Sequence, residues 1–246
     1  MGEEYFLTRR SCRQFKPEKI SDNLLKSILE RAMKAPTCGN MQLYTVVVTR
    51  DEERKKKLSG YHYNQPASET APVILTICAD FNRFTRWCKI NEADAGFDNF
   101  HSFLTAMTDA VIYSQQIVTI AESEGLGTCY LGTVTYNAKE ISELLKLPQL
   151  VVPVASLAIG FPLQVGDYTD RLPIEAIVHE ETYRNDGDEK IVELFEIHDK
   201  NSENEKFIIE NGKNNLAQVF SEIRYPRSVN EEISKTFKEL LKEKGF

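Results

Sequence analysis

The chain has 246 residues, of which 41% are hydrophobic and 27% are charged. This composition is typical of a globular protein with a sizeable core and excludes a mostly disordered chain. With 30 basic and 37 acidic side chains the formal net charge is −7, so we expect no general affinity for nucleic acid or for an anionic membrane.

The cysteines and the N-terminal residues indicate a reducing compartment. The five cysteines are odd in number and none has CxxC spacing, so we expect neither a disulfide framework nor a cysteine zinc site. The first residues lack the basic stretch and apolar run of a secretion signal. No apolar run approaches the roughly 20 residues that cross a bilayer. We therefore expect a cytoplasmic protein that does not bind membranes.

Apolar periodicity predicts helices and strands in mixed order over the first 165 residues. The predicted helices are 24–32, 51–58, 103–123 and 137–145, and the predicted strands are 44–48, 73–78, 128–131 and 151–159. The helix over 103–123 is apolar on nearly every side. Such a helix is buried nearly all round, which indicates either a central core helix or the seam of a dimer.

The last third of the chain is charged and mainly helical in pattern. The helices predicted there are 189–198, 203–209, 216–223 and 231–244. Their apolar faces are thin, so we expect residues 166–246 to be an extension that packs on the core or on a partner subunit. The predicted organisation is a core domain over residues 1–165 followed by this extension, in an α+β fold with more helix than strand.

Three arginines and a serine lie close together before the first predicted helix. Arg9, Arg10, Ser11 and Arg13 fall within five residues of an otherwise acidic chain. Guanidinium groups bind phosphate through bidentate, charge-assisted hydrogen bonds. The cluster therefore indicates either a phosphate site or a solvated basic turn.

A polar turn follows the first predicted helix. Thr37, Asn40 and Gln42 supply hydroxyl and amide groups that can bind a polar heterocycle or cap their own backbone. Further along, Gly125 and Gly127 invite a dinucleotide-binding interpretation, but Tyr130 occupies the third glycine position of that fingerprint. Gly132 can still allow a ligand to approach the backbone closely.

Motifs for metal binding and nucleophilic catalysis do not occur in the sequence. The four histidines are far apart along the chain, and no GxSxG elbow occurs. We therefore predict no metal site and assign no catalytic acid, base or nucleophile.

Six stretches in the correct order resemble the nitroreductase family of flavin enzymes, and in particular its NADPH-dependent, oxygen-insensitive nitroreductases and flavin reductases. The stretches are 9–15, 36–42, 78–83, 121–132, 144–148 and 171–173. The resemblance implies a nitroreductase-like α+β fold with a central, mainly antiparallel sheet flanked by helices. It also implies an intertwined homodimer that binds FMN at the subunit interface.

The resemblance further implies which residues bind the cofactor. They are Arg9, Arg10, Ser11, Arg13, Thr37, Asn40, Gln65, Leu131, Gly132, Thr133 and Arg171. By resemblance, segment 9–13 grasps the flavin, Thr37 and Gln65 contact it, and backbone 131–133 lies against the ring. Arg171 corresponds to a phosphate-binding arginine of the family.

Three positions depart from the family pattern. Thr169 stands where the subgroup usually has a lysine near the phosphate. Arg9 occupies a position often held by histidine, and we expect its charge to compensate. Asn40 stands where an enteric relative has an aromatic residue over the substrate pocket, so the preference for nitroaromatic substrates is open.

The resemblance implies an FMN-dependent NAD(P)H oxidoreductase. NADPH or NADH would give a hydride to the flavin, and a nitro compound, a quinone or a free flavin would then take two electrons in a ping-pong reaction. One alternative is a different flavin chemistry, such as reduction of an activated double bond. Another is a flavin-binding protein without productive turnover.

Overall fold

A computed structural model describes residues 2–164 and 166–246. The strands are β1 Tyr44–Thr49, β2 Val73–Asp80, β3 Gly127–Tyr130 and β4 Val151–Gly160. The helices are α1 Glu3–Thr8, α2 Asp22–Ala32, α3 Glu52–Tyr61, α4 Pro66–Thr70, α5 Asn82–Ile90, α6 Phe100–Ser123, α7 Ala138–Leu144, α8 Asp188–Asp199, α9 Ser202–Glu210, α10 Leu216–Gln218 and α11 Arg227–Glu243. A π-helical turn, Val219–Arg224, follows α10.

The four strands form one sheet in the order β1-β2-β4-β3, and every neighbouring pair is antiparallel. In the register, Tyr44 lies opposite Ala79, and Gly127 lies opposite Gly160. Strands β2 and β4 are buried along their whole length. The predicted α+β fold with an antiparallel central sheet is confirmed.

Helices cover both faces of the sheet because successive strand residues point to opposite sides. Leu75 and Ile77 of β2 pack in one apolar cluster with α2 and α6, whereas Ile74 packs in another with α3, α4 and α7. The ends of several helices are fixed by side-chain caps, as Ser21 shows by accepting a hydrogen bond from the Leu24 N–H. The sheet is therefore the middle layer between two layers of helices.

Helix α6 is buried on one face only within this chain. Ala106, Ala110 and Ile117 are fully buried against the sheet, whereas Leu104 and Val111 are 43% and 42% exposed. The chain's own core therefore buries one side of this helix, whereas the sequence predicts burial on nearly every side. Its other side is an uncovered apolar face.

Three short helices went unpredicted from the sequence: α1, α4 and α5. Each is brief or mixed in polarity, so apolar periodicity does not reveal it. The described residues contain no helix that is both long enough and apolar enough to span a membrane.

The chain divides into two compact units, Met1–Asp167 with Lys235–Phe246 and Tyr168–Ser234. The second unit contains α8, α9 and α10, and in it the Arg224 guanidinium lies 4.2 Å from the centre of the Phe207 ring. The predicted boundary residue, 165, lies outside the described residues. The predicted packing of 166–246 on the core or on a partner subunit stays a prediction.

Candidate functional site

The arginine-rich segment continues into a strand-like stretch beside the sheet. The Cys12 N–H donates to the Thr128 carbonyl at 2.9 Å, and the Lys16 N–H donates to the Phe161 carbonyl at 2.8 Å. The approach is close at Gly127, where an added Cβ would lie 2.5 Å from the Cys12 Cβ. A side chain at position 127 would therefore clash with Cys12, and the glycine allows the segment to lie directly against β3.

Three side chains surround the carboxylate of Glu122, which lies near the end of α6. It accepts hydrogen bonds from the Arg9 guanidinium at 3.2 Å, from the Tyr5 hydroxyl at 2.7 Å and from the Thr128 hydroxyl. Burial and the neighbouring carboxylate raise the pKa of Tyr5. The charge of Arg9 is therefore largely balanced inside the protein.

Arg13 is in a different situation from Arg9. Its side chain is exposed, and it forms no hydrogen bond or ion pair among the described residues. Burial raises the pKa of the Cys129 thiol, and the charge of Arg13 opposes that rise, so this guanidinium lies near the end of β3. Arg13 can accept an anionic ligand without first breaking an internal ion pair.

Arg10 and Ser11 lie between these two arginines. The Arg10 guanidinium donates to the Gly166 carbonyl at 3.1 Å. A Cβ at Gly166 would lie 2.3 Å from the Ser11 carbonyl oxygen, so this glycine also allows a close approach. The arginine segment is thus held on both sides by backbone contacts.

The turn after β3 lies beside the loop between α3 and α4. The Leu131 N–H donates to the Ser156 carbonyl at 2.9 Å, which fixes the start of the turn. Gly132 is exposed, and an added Cβ would meet no atom within 4 Å. Open space therefore borders the turn at the position where sequence comparison predicts a ring.

Two hydrogen bonds tie this turn to the α3–α4 loop. His62 Nδ1 lies 2.9 Å from the Thr133 hydroxyl, and the Asn137 amide donates to the Tyr61 carbonyl at 2.7 Å. Gln65 follows in the same loop, is half-buried, and its side-chain amide has no hydrogen-bond partner among the described residues. The structure therefore brings Gln65 and residues 131–133 into one neighbourhood.

His62 is fully buried, and its second ring nitrogen, Nε2, has no partner among the described residues. Burial lowers its pKa to about 4. The ring is consequently neutral at physiological pH. A neutral imidazole carries one donor and one acceptor nitrogen.

The loop that contains Thr37 and Asn40 is held in an unusual backbone conformation. Asn40 and Gln42 have φ values of 55° and 54°, in the left-handed region that most side chains avoid. The buried Thr37 hydroxyl has no hydrogen-bond partner among the described residues.

Two side chains from different elements hold that loop. Buried Asp109 on α6 accepts hydrogen bonds from the Cys38 N–H at 2.9 Å and the Leu43 N–H at 3.3 Å. Arg83 on α5 donates to the Gln42 carbonyl at 2.6 Å and to the Tyr44 carbonyl at 3.1 Å. Together they oppose the strain of the left-handed residues.

Within one chain, the predicted site residues fall into separate groups. The arginine segment, Gln65 and residues 131–133 surround β3, whereas Thr37 and Asn40 lie on the loop anchored at Asp109. Asp109 and Glu122 are 13 positions apart on α6, or about 20 Å along the helix axis.

Arg171 belongs to the second compact unit. It is exposed, and its guanidinium donates to the carbonyls of Thr169 and Asp170 in its own segment. The described residues contain no group of three or more metal-ligating side chains placed to hold an ion.

Three residues that shape the site were missed by sequence reasoning: His62, Asp109 and Glu122. Asp109 left a signal, because a single carboxylate near the middle of an apolar helix requires a partner. His62 and Glu122 left none, since both are polar residues in polar stretches of the sequence.

The sequence profile described as the nitroreductase family matches residues 7–161. The chain belongs to this family. An FMN reductase of Bacillus subtilis (strain 168) that acts with NAD(P)H is 32% identical over 254 residues, which cover 96% of this chain and 94% of that protein. A Cr(VI) reductase of Pseudomonas sp. (strain G-1) is 30% identical over 251 residues, which cover 100% of this chain and 99% of that protein.

The fold also matches a solved structure over nearly the whole chain. A crystal structure of a protein from Bacteroides fragilis NCTC 9343 superimposes with a TM-score of 0.96 at 43% sequence identity, covering 98% of each chain. The similarity therefore extends beyond residue 161 and includes the helical tail.

Proposed function

We propose that this protein is an FMN-dependent NAD(P)H oxidoreductase that reduces nitro compounds, quinones or flavins. The observation that carries the proposal is the unpaired, exposed guanidinium of Arg13 close to β3 and its turn, in a chain of the nitroreductase family. The name of the Bacillus relative, an FMN reductase using NAD(P)H, supports the same assignment. A cytoplasmic location is proposed with it, because the five cysteines are free.

The donor groups of the site suit FMN. Arg10, Ser11 and Arg13 offer two cations and a hydroxyl to a phosphate or to the electron-rich edge of the ring. Gly132 leaves open space for a flat ring against the turn. Gln65 has an amide without an internal partner to offer to ring heteroatoms.

A homodimer accounts for the separation of the two groups of site residues. We propose that Thr37 and Asn40 of one subunit contact the FMN held by the arginine segment of the other. The uncovered apolar face of α6 supports this arrangement. In this arrangement Thr37 and Asn40 of one subunit and the arginine segment of the other belong to a single pocket that only the assembled dimer contains.

The chemistry requires binding, orientation and electrostatics from the protein. Bound FMN would supply the hydride chemistry that couples oxidation of NAD(P)H to reduction of the acceptor. Arg13 would stabilise the negative charge that accumulates in the pocket on reduction. Arg9 contributes less, because Glu122 already balances its charge. No side chain is assigned as an acid or base.

The direct test is the visible absorption spectrum of the purified protein before and after anaerobic addition of NADPH. We expect flavin bands that bleach within the time of a catalytic cycle. A colourless protein that does not take up FMN would refute the proposal. Bands that do not bleach would favour a flavin-binding protein without turnover, and a profile of acceptors would separate nitro or quinone reduction from double-bond reduction.

The role of Arg13 is tested by Arg13→Ala, with Arg54→Ala on the exposed surface of α3 as a matched control. We expect weaker FMN binding, slower flavin reduction, or both, in Arg13→Ala alone. Unchanged flavin content and turnover would remove Arg13 from the site.

A further inference from the structure

The pair His62 and Thr133 lies directly behind the proposed ring-binding turn. His62 is fully buried, and its Nδ1 is 2.9 Å from the Thr133 hydroxyl oxygen. His62 Nε2 is buried and has no partner, and Thr133 is half-buried next to exposed Gly132. The pair thus connects the protein interior to the edge of the open space beside Gly132.

The surroundings of the ring select one tautomer of His62. The ring is neutral, because burial lowers its pKa to about 4 and no charged side chain opposes that effect. One nitrogen therefore carries a proton and the other a lone pair. A buried N–H without an acceptor is rarer and more costly than an unused lone pair. The favoured tautomer has the proton on Nδ1, which donates to the Thr133 oxygen and leaves a lone pair at Nε2.

This tautomer decides what the Thr133 hydroxyl can do. When His62 donates to its oxygen, Thr133 must direct its own proton elsewhere. The Thr133 hydroxyl has no other hydrogen-bond partner among the described residues. The preceding residue, Gly132, is exposed and borders open space, which leaves room for an external acceptor beside this turn.

We propose that His62 is a positioning residue that fixes the Thr133 hydroxyl as a hydrogen-bond donor to an electron-rich heteroatom of the flavin ring. The proposal rests on the proposed function, because it requires FMN at this turn. A donor at that place stabilises charge that accumulates on reduction. The His62–Thr133 pair thereby contributes both to FMN affinity and to the reduction potential of the bound flavin.

The tautomer is tested without any catalytic assay. Long-range proton–nitrogen NMR correlations of the full-length, uniformly ¹⁵N-labelled chain distinguish a protonated Nδ1 from a protonated Nε2. The spectrum of His62→Gln identifies the signals of His62 by their loss. We expect the proton on Nδ1 before and after FMN is added. A proton on Nε2 would overturn the proposal.

The donor role is tested by comparing Thr133→Val with Thr133→Ser. Valine keeps the shape but lacks the hydroxyl, so we expect FMN to bind about three- to tenfold more weakly. The midpoint potential of the bound flavin should fall in the same variant. Serine retains the donor and should restore both quantities. Equal affinity and potential in the two variants would refute the donor role.

The positioning role is tested by His62→Leu and His62→Gln, each alone and with Thr133→Val. Leucine cannot donate to Thr133, so its effect on potential should resemble that of Thr133→Val and should not add to it. Glutamine can donate and should recover part of the potential. If His62→Leu lowers the unfolding free energy but leaves affinity and potential unchanged, the residue is merely structural.

These outcomes separate failure of this proposal from failure of the proposed function. If the unmodified protein binds no FMN, the proposed function fails and the NMR result still reports the tautomer. If it binds and reduces FMN normally but the Thr133 variants behave alike, only the present proposal fails.

Discussion

At the scale of single residues, a charged group that already has an ion-pair partner is less available to a ligand than one that has none. Arg9 and Arg13 are four positions apart in the sequence and carry the same type of charged group. Glu122 balances the charge of Arg9, whereas no acidic group pairs with Arg13 among the described residues. The expectation that Arg9 compensates for the missing lysine at Thr169 stays a prediction, and it requires Arg9 to leave its carboxylate partner.

The buried histidine gives a prediction about pH and stability. The pKa of His62 is about 4 in the folded chain and about 6.5 when unfolded, so the unfolded state binds more protons between these values. Above about pH 6.5 the neutral, buried His62 therefore makes its full contribution to the free energy of unfolding. That contribution is lost as the pH falls towards 4. The loss amounts to roughly 3 kcal/mol. Urea denaturation at several pH values measures it.

The control for this prediction is His62→Gln, which does not titrate. Carboxylates and the three other histidines contribute equally to both proteins, so the difference between their unfolding free energies isolates His62. That difference should change between pH 6.5 and pH 4. If it remains constant, the folded pKa of His62 is not lowered.

At the scale of elements, Asp109 connects the longest helix to the strained loop. Asp109→Asn replaces one carboxylate oxygen with an NH₂ group, which cannot accept from a backbone N–H. One of the two bonds to Cys38 and Leu43 is lost, and we expect about 1–3 kcal/mol of destabilisation. The loop should also loosen, so the exposed Cys38 thiol should react faster with a disulfide reagent than in the unmodified protein.

Asp94→Asn is the matched control, because Asp94 is exposed and lies outside this network. The control should leave both the unfolding free energy and the thiol reaction rate unchanged. Equal reaction rates in Asp109→Asn and in the unmodified protein would mean that Arg83 alone is sufficient to hold the loop.

The elements themselves could be predicted wherever hydrophobic periodicity extends over enough residues. Strands β1, β2 and β4 and helices α2 and α6 were found from their apolar patterns. Helix α5 was not, because its stretch mixes arginines with aromatic residues. In the structure the aromatic residues of this stretch pack against one another, and the rings of Phe84 and Trp87 lie 5.4 Å apart at their centres with an angle of 51° between their planes. A local pattern cannot distinguish that packing from a basic, aromatic surface.

At the scale of the whole molecule, the site could be predicted only as a set of separate pieces. The arginine segment and the Thr37 loop each carry a local chemical signal. The position of the arginine segment relative to the Thr37 loop depends on tertiary packing, which local sequence patterns do not reveal. The resemblance to the nitroreductase family implies a dimer, in which we propose that the two groups meet, and within one chain the structure leaves them separate.

The uncovered face of α6 is the strongest argument for that dimer. Phe100, Leu104, Met107 and Val111 recur at helical spacing and are 59%, 43%, 38% and 42% exposed. A contiguous apolar stripe of this kind on a core helix is costly in water. In the proposed dimer, a second copy of the chain buries this stripe.

Leu104→Glu tests this arrangement, with Lys57→Glu on the exposed surface of α3 as the control. A buried carboxylate without a partner at the subunit interface is strongly unfavourable, so we expect the variant to sediment as a monomer. Because the proposed pocket draws residues from both subunits, the monomer should also lose bound FMN, while Lys57→Glu stays dimeric and yellow. A monomeric Leu104→Glu that retains FMN at full occupancy would show that one chain holds the cofactor alone.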